Sequence, residues 1–503
     1  MPKVIGQDKS AMRRFLESLR SLRPVQIFCG LSAFAVLVRL SLFVIEGPYF
    51  EGDTSMLVTR HLPAIRGCLS EGRLSGCPQS GSWPLFQNVV GLMLNYLGIS
   101  ASAILHALAY LSFLAFLGLI LLVFRSLKKR STPLAITAVV ILITSPLLWY
   151  SHSTFGEMAA AFLTLAFTAA CIVSKREWIV FLLFVLAGLT KEIAFPFLAL
   201  IGLLCLLPEV ASRQVKVRKR IGTLFLGAFL TLIINSAFNY FRFGLFYNPS
   251  YLNELFIVPS WRLRSSFFLA IWFSPSGGIF FFWTSFAFLY FSICAALILR
   301  RAKDGRSQHG GENSKANLVF YLPIITISLI LFALTLGFSS WCCSPLGGAA
   351  WGPRFMIPWI PTVSLLLLHF YPHQALAVLA LLLKRSYSFV LTCLTLLLVS
   401  IPQVAIFFGT FVLGDIFAPT PECPRLPVIQ EGVSYYYRCL NNQFWPYKWS
   451  LLQSYMVAAR PSALWVTVLY GITLIGACLL IRKYLFQRQA NKVTSPKPFS
   501  KLQ

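Results

Sequence analysis

Hydrophobic residues in this chain gather into runs of about 20, the length that crosses a bilayer as a helix, and short polar stretches separate the runs. The first is Gln26–Ile45, followed by Ala101–Phe124, Pro133–Tyr150 and Met158–Val173. Two shorter runs, Trp178–Gly188 and Ile193–Leu207, flank Thr190-Lys191-Glu192 like a hairpin of half-length helices. Ile221–Phe241, Ile279–Leu299, Leu318–Phe338, Phe355–Phe370, Tyr387–Leu413 and Ser462–Ile481 complete the series. The pattern predicts an all-α polytopic membrane protein with about twelve transmembrane helices. Leu85–Leu97, Ser265–Phe273 and Ala375–Leu383 are apolar but break the alternation, so they predict interfacial or re-entrant helices.

Charge gives the series a direction. The net charge is +27, and 30 of the 43 Lys and Arg lie in tight clusters between apolar runs. Those clusters include residues 1–24, Arg125–Arg130, Arg213–Arg220 and the stretch after Ile481. Basic clusters stay on the cytoplasmic side of membrane helices, which puts both termini inside. The clustering also argues against a nucleic-acid surface, which would gather the charge on one face. With 57% hydrophobic and 12% charged residues, a soluble globular class is excluded. The basic start runs into a long apolar stretch without a small-residue cleavage site, so it reads as a retained first helix.

The organisation that follows has four parts. A cytoplasmic basic segment covers 1–24, and a transmembrane module covers 25–410 with outer loops at 46–84 and 242–278. An outer aromatic-rich loop and the last helix cover 411–481, and a cytoplasmic basic tail covers 482–503. Cysteines agree with this sidedness: Cys68, Cys77, Cys342, Cys343, Cys423 and Cys439 fall in outer segments and none in a basic inner loop. An even outer set suits an oxidising compartment, with Cys68–Cys77 and Cys423–Cys439 as possible disulfides. No CxxC or HExxH spacing points to zinc.

Charges on the outer side near the membrane are the candidates for chemistry. In Phe50–Met56, Glu51 and Asp53 are two apart, so in an extended segment they face the same way. A carboxylate there serves as a general base toward an acceptor hydroxyl, or is a solvated loop acid. Glu157 opens a helix, where a carboxylate suits the positive end of the dipole; it is also a candidate second active-site acid or metal ligand beside Asp53. His152 reads as an interfacial histidine or a further ligand. Lys191 and Glu192 stand at a helix break, where ionisable groups mark functional sites; snorkelling and N-terminal helix charge are the plainer readings. Arg354 follows Gly352-Pro353 at the start of an incoming helix, a ready anion site or a lipid-headgroup contact. Trp351 and Trp359 read as belt aromatics. Two aromatic stretches, Trp261–Phe273 and Tyr435–Trp449, suit either sugar stacking or the membrane interface.

Four of these features together resemble the GT-C superfamily of integral-membrane glycosyltransferases, in particular the protein mannosyltransferase and aminoarabinose transferase group. They are the acid-bearing first outer loop, the Glu157 helix start, Gly188-Leu189-Thr190-Lys191-Glu192, and Trp351-Gly352-Pro353-Arg354-Phe355 with its following prolines. The resemblance covers about residues 25–410. It implies a cavity between helices that opens to the outer leaflet, a polyprenyl-phosphate sugar donor, and a glycan, lipid or protein acceptor on the outer face. It assigns Asp53 as base, with Glu51 as the alternate, and Arg354 and Lys191 as donor-phosphate contacts. Glu192, Trp351 and His152 would support the site. Here Gly52 separates the two acids and Ser55-Met56 follow, where the family often has paired acids and then a tyrosine; Phe355 stands where a tyrosine often follows the arginine. No cofactor is required by this reading, and a divalent metal is left open, with Asp53, Glu51, Glu157 and His152 as ligands if they converge. The family likeness suggests a bacterial plasma (inner) membrane with the site facing outward. Competing classes are a transporter or flippase of a lipid-linked glycan precursor, and an O-antigen ligase or polymerase. The longest outer loop is poor in the basic residues that the last of these needs.

Overall fold

A computed structural model of the chain describes residues 52–77, 85–128, 131–151, 153–154, 156–174, 176–192, 194–211, 216–249, 258, 260–274, 278–307, 314–340, 354–405, 471–472 and 474–485. In chain order the helices are α1 (Gly52–Met56), α2 (Leu62–Ser70), α3 (Leu85–Tyr96), α4 (Ala101–Lys128), α5 (Thr132–Ile143), α6 (Leu147–Tyr150), α7 (Glu157–Val173), α8 (Glu177–Thr190) and α9 (Ala194–Ala211). They continue as α10 (Lys216–Phe243), α11 (Trp261–Phe273), α12 (Ile279–Phe282), α13 (Thr284–Ser307), α14 (Ser314–Ser339), α15 (Ile360–Phe370), α16 (Pro372–Lys384) and α17 (Ser386–Ala405). Four of the described helices hold segments long and apolar enough to cross a membrane: Ala101–Lys128, Val217–Phe243, Thr284–Arg301 and Phe320–Ser339. The α15–α16 pair passes together but is bent by 98°. Shorter apolar helices, α5, α7, α8, α9 and α17 among them, fill the rest of the bundle. The Gln26–Ile45 run and most of 411–481 lie outside the described residues.

The apolar runs form helices, and their interruptions follow from side-chain chemistry. Pro133–Tyr150 is not one helix: Pro146 has no N–H to give, and the chain breaks between α5 and α6. There Ser145 Oγ donates to Leu142 O at 2.6 Å, covering the carbonyl that Pro146 leaves without a donor, and Thr144 Oγ1 adds a second bond to Val140 O at 2.8 Å. Ile279–Leu299 is likewise split, at Trp283. Phe355–Phe370 becomes a 3₁₀ turn at Arg354–Met356 followed by α15. Of the three pieces that broke the alternation, Leu85–Leu97 forms α3, Ser265–Phe273 falls within α11, and Ala375–Leu383 is the body of α16 beyond the bend.

The first outer loop differs most from expectation. Rather than an extended segment, α1, a π turn at Leu57–His61 and α2 make one continuous helical path. Leu57, Val58, Leu62 and Ile65 bury one face of it against Ile104, Leu105 and Leu108 of α4. Interleaved Arg60, His61 and Arg66 hide this amphipathic spacing in the sequence. Asp53 lies in α1 rather than in an extended segment, and Glu51 lies outside the described residues.

Two close approaches set the bundle. A Cβ on Gly188 would stand 2.5 Å from Thr231 Cγ2, so the absence of a side chain lets α8 meet α10 closely. Gly118 does the same for α4 against Phe162 of α7. Small residues at such crossings are the usual way helices pack where lipid removes the hydrophobic drive. At the basic end, Arg220 ties three elements together. It donates to Glu177 Oε1 at 3.0 Å, to Cys171 O at 3.3 Å and to Ser174 O at 2.5 Å, capping the last carbonyls of α7 and pairing with the first residue of α8.

Candidate active site

Three stretches far apart in sequence meet at one carboxylate. Glu157 is the first residue of α7, and its side chain is 1% exposed. Lys191 closes α8 in an extended conformation (φ −147°, ψ 122°), so the helix stops and its side chain leaves the helix axis. Arg354 begins the 3₁₀ turn before α15. Lys191 Nζ donates to Glu157 Oε1 at 3.0 Å, and Arg354 Nε donates to the same oxygen at 2.8 Å. Two cations from separate elements thus share one carboxylate oxygen. The cations are the accessible part, at 21% and 19% side-chain exposure.

Packing fixes each arm. Phe355 stacks on Phe338 of α14, with ring centroids 4.7 Å apart, and holds the Arg354 turn against that helix. Trp359 is buried and meets Phe197 of α9 edge-on at 5.3 Å, which joins the Arg354 segment to the element after Lys191. Trp359 is therefore not a belt aromatic. The α1 segment reaches the same region: Thr54 Oγ1 donates to Thr154 O at 3.2 Å, three residues before Glu157. Asp53 precedes Thr54 in α1. Glu51, His152 and Trp351 lie outside the described residues.

Glu192 turns away from this trio to a second one. Its Oε1 lies 3.6 Å from Arg242 Nη1, at the end of α10. The Arg242 side chain is fully buried, with its guanidinium 4.4 Å from the Phe243 ring centroid and 5.2 Å from that of Phe238. Burial pushes the Glu192 carboxyl up from its ordinary value, and Arg242, Asn239 and Asn248 pull against that rise. His61, in the π turn, is lowered by burial and by the charges of Arg242 and Arg60. Arg242, which the run pattern assigns to the loop 242–278, instead lies in the last turn of α10. Its signal was present: a lone arginine at the outer end of an apolar run needs a buried anion. The first loop is fastened beside this cluster by a Cys68–Cys77 disulfide and by Cys77 N–H donating to Phe241 O at 2.9 Å. Cys423 and Cys439 lie outside the described residues.

Glu157, a candidate metal ligand by sequence, meets cations instead. Among the described residues no group of three or more His, Cys, Asp or Glu is placed to hold a metal ion. An apolar cavity of about 670 Å³ lies between α11, α13 and α14, lined by Phe268, Trp272, Tyr290, Tyr321, Ser328 and Phe332 among others. Within Trp261–Phe273, Phe267 and Trp272 are buried in the bundle, where Trp272 stacks on Tyr290 with centroids 6.2 Å apart, while Trp261 and Phe273 are exposed.

No protein-family model and no curated protein matches the chain. The fold is similar to the crystal structure of ArnT from Cupriavidus metallidurans in the apo state, at 16% identity and a TM-score of 0.42, covering 93% of this chain and 78% of that one. It is also similar to the crystal structure of ArnT from the same organism bound to undecaprenyl phosphate, at 15% identity and a TM-score of 0.38, covering 93% and 79%.

Proposed function

We propose that the chain is a membrane glycosyltransferase that moves a sugar from a polyprenyl-phosphate donor to an acceptor on the outer face, with inversion at the anomeric carbon. The observation that carries this reading is the convergence of Lys191 and Arg354 on Glu157 with their charges partly open. Burying charge beside apolar helices is costly unless an anion completes the site. A bridging phosphate supplies that anion, and its departure gathers negative charge where the two cations stand.

The lipid has a place as well. The 670 Å³ cavity borders α14 at Phe332, and Phe338, six residues further along, stacks on the neighbour of Arg354. Six helical residues rise about 9 Å, a distance that an isoprenoid tail spans from a phosphate at Arg354. Asp53, with Glu51 as the alternate, takes the proton of the acceptor hydroxyl; the Thr54–Thr154 hydrogen bond, which ties α1 to the Glu157 segment, supports this. The sugar–phosphate bond breaks with oxocarbenium-like charge on the sugar. Phosphate is a good leaving group and needs no strong acid. The setting that suits this chemistry is a bacterial inner membrane with the site facing outward.

A flippase for the same lipid is the competing reading, favoured by the helix breaks at Lys191 and Tyr371. Purified protein in lipid, given a radiolabelled polyprenyl-phosphate hexose panel and an envelope extract, separates the two. Sugar transfer by wild type should vanish in Asp53→Asn while donor binding survives, and should fall by about 10²–10³ in Arg354→Ala. No transfer from any donor, with lipid flipping intact in all three proteins, would favour the flippase.

A further inference from the structure

Glu157 meets both cations with a single oxygen. Oε1 accepts from Lys191 and Arg354, while Oε2 is buried and accepts no hydrogen bond from any described residue. The carboxylate is sealed at 1% exposure beneath cations that are about a fifth exposed. It is therefore not a plug that an incoming anion displaces. It is a fixed negative charge behind the site, held ionised by the two cations that meet it.

That placement matters for a reaction that changes the charge of its lipid. The following rests on the lipid-phosphate donor reading. The donor phosphate is a diester with one negative charge. In the transfer step the acceptor oxygen bonds the anomeric carbon, and the anomeric carbon–phosphate oxygen bond breaks with its electron pair going to phosphate. The acceptor proton passes to the base and then to water. The lipid is left as a monoester, which takes a second negative charge above a pKa of about 6.

The geometry points to Glu157 as the residue that weakens the cations' hold on the dianionic monoester more than their hold on the monoanionic phosphodiester, and so eases release of the product lipid. Glu157 thus sets which lipid phosphate the cations prefer, and it acts through Lys191 and Arg354 rather than on the sugar.

The test is equilibrium binding of a synthetic polyprenyl-phosphate hexose and of polyprenyl phosphate to the full-length protein in nanodiscs. Wild type, Glu157→Gln and Glu157→Asp are compared at about pH 8 and about pH 5, on either side of the monoester pKa. At the higher pH, Glu157→Gln should tighten the monoester relative to the diester by about tenfold or more, as one fewer repelling charge a few ångströms away implies. Glu157→Asp, which keeps the charge, should hold the wild-type ratio. At the lower pH both lipids carry one charge, and the gap between Glu157→Gln and wild type should close. A parallel change in both affinities in Glu157→Gln marks a purely structural role and overturns the inference, as does a wild-type ratio that ignores pH. Failure of wild type to bind either lipid overturns the donor reading itself, and this inference with it.

Discussion

At the scale of single residues, the site is made by where charges are forced to find partners. Lys191 and Glu192 are adjacent, yet one turns to Glu157 and the other to Arg242. The extended backbone at Lys191 sends neighbouring side chains to opposite sides, where a helix through this point would have turned them only about 100° apart. His61 gives this region a pH dependence of known sign. Its folded-state pKa lies below the ordinary 6.5 because burial, Arg242 and Arg60 disfavour the imidazolium. The unfolded chain therefore binds the proton first, and stability present above about pH 6.5 is lost as pH falls toward the lowered value. Thermal unfolding in detergent should show wild type losing stability between about pH 7.5 and about pH 5.5, with His61→Gln losing less. Parallel losses in the two proteins would remove His61 as the cause.

At the scale of elements, helix breaks do most of the positioning, and one of them is repaired by a side chain from another helix. Pro323 lies inside α14, and the Tyr371 hydroxyl inserts into the helix ladder at the next rung. It accepts from Ile324 N–H at 3.0 Å and donates to Phe320 O at 3.0 Å. Tyr371 stands at the 98° bend between α15 and α16, so the bend that follows the Arg354 segment is pinned to the helix whose far end carries Phe338. Tyr371→Phe leaves two backbone groups without their partner in an apolar setting, which should cost about 1–3 kcal/mol. A lowered unfolding temperature together with faster amide exchange at Ile324 is the expected result; an unchanged temperature would mean that α14 closes its own ladder.

At the scale of the whole molecule, what the sequence made legible was the periodic part. Apolar run length marked most of the described helices. Glycine-proline and threonine-lysine-glutamate breaks marked the ends where Arg354 and Lys191 stand. Glu157 was legible as a helix-opening acid, but not as the partner of both, because 34 and 197 residues separate it from Lys191 and Arg354. Pairings of that range are set by packing, through contacts such as Phe338–Phe355 and Phe197–Trp359 that no local pattern encodes. The helical first loop was missed for the opposite reason. Its apolar face was present at Leu57, Val58, Leu62 and Ile65, but it was short and interleaved with charge. Arg242 is hidden in the sequence because its partner, Glu192, lies far away along the chain, on the other side of α9.

All three scales meet in the claim that Lys191 and Arg354 hold a lipid phosphate. The most direct measurement is an experimental structure of the full-length protein in nanodiscs with polyprenyl phosphate bound. The expected result is a phosphate within hydrogen-bond distance of both the Lys191 ammonium and the Arg354 guanidinium, with the isoprenoid chain running along α14 into the aromatic cavity. A phosphate seated elsewhere, with the Lys191–Glu157–Arg354 trio left closed on itself, would contradict it.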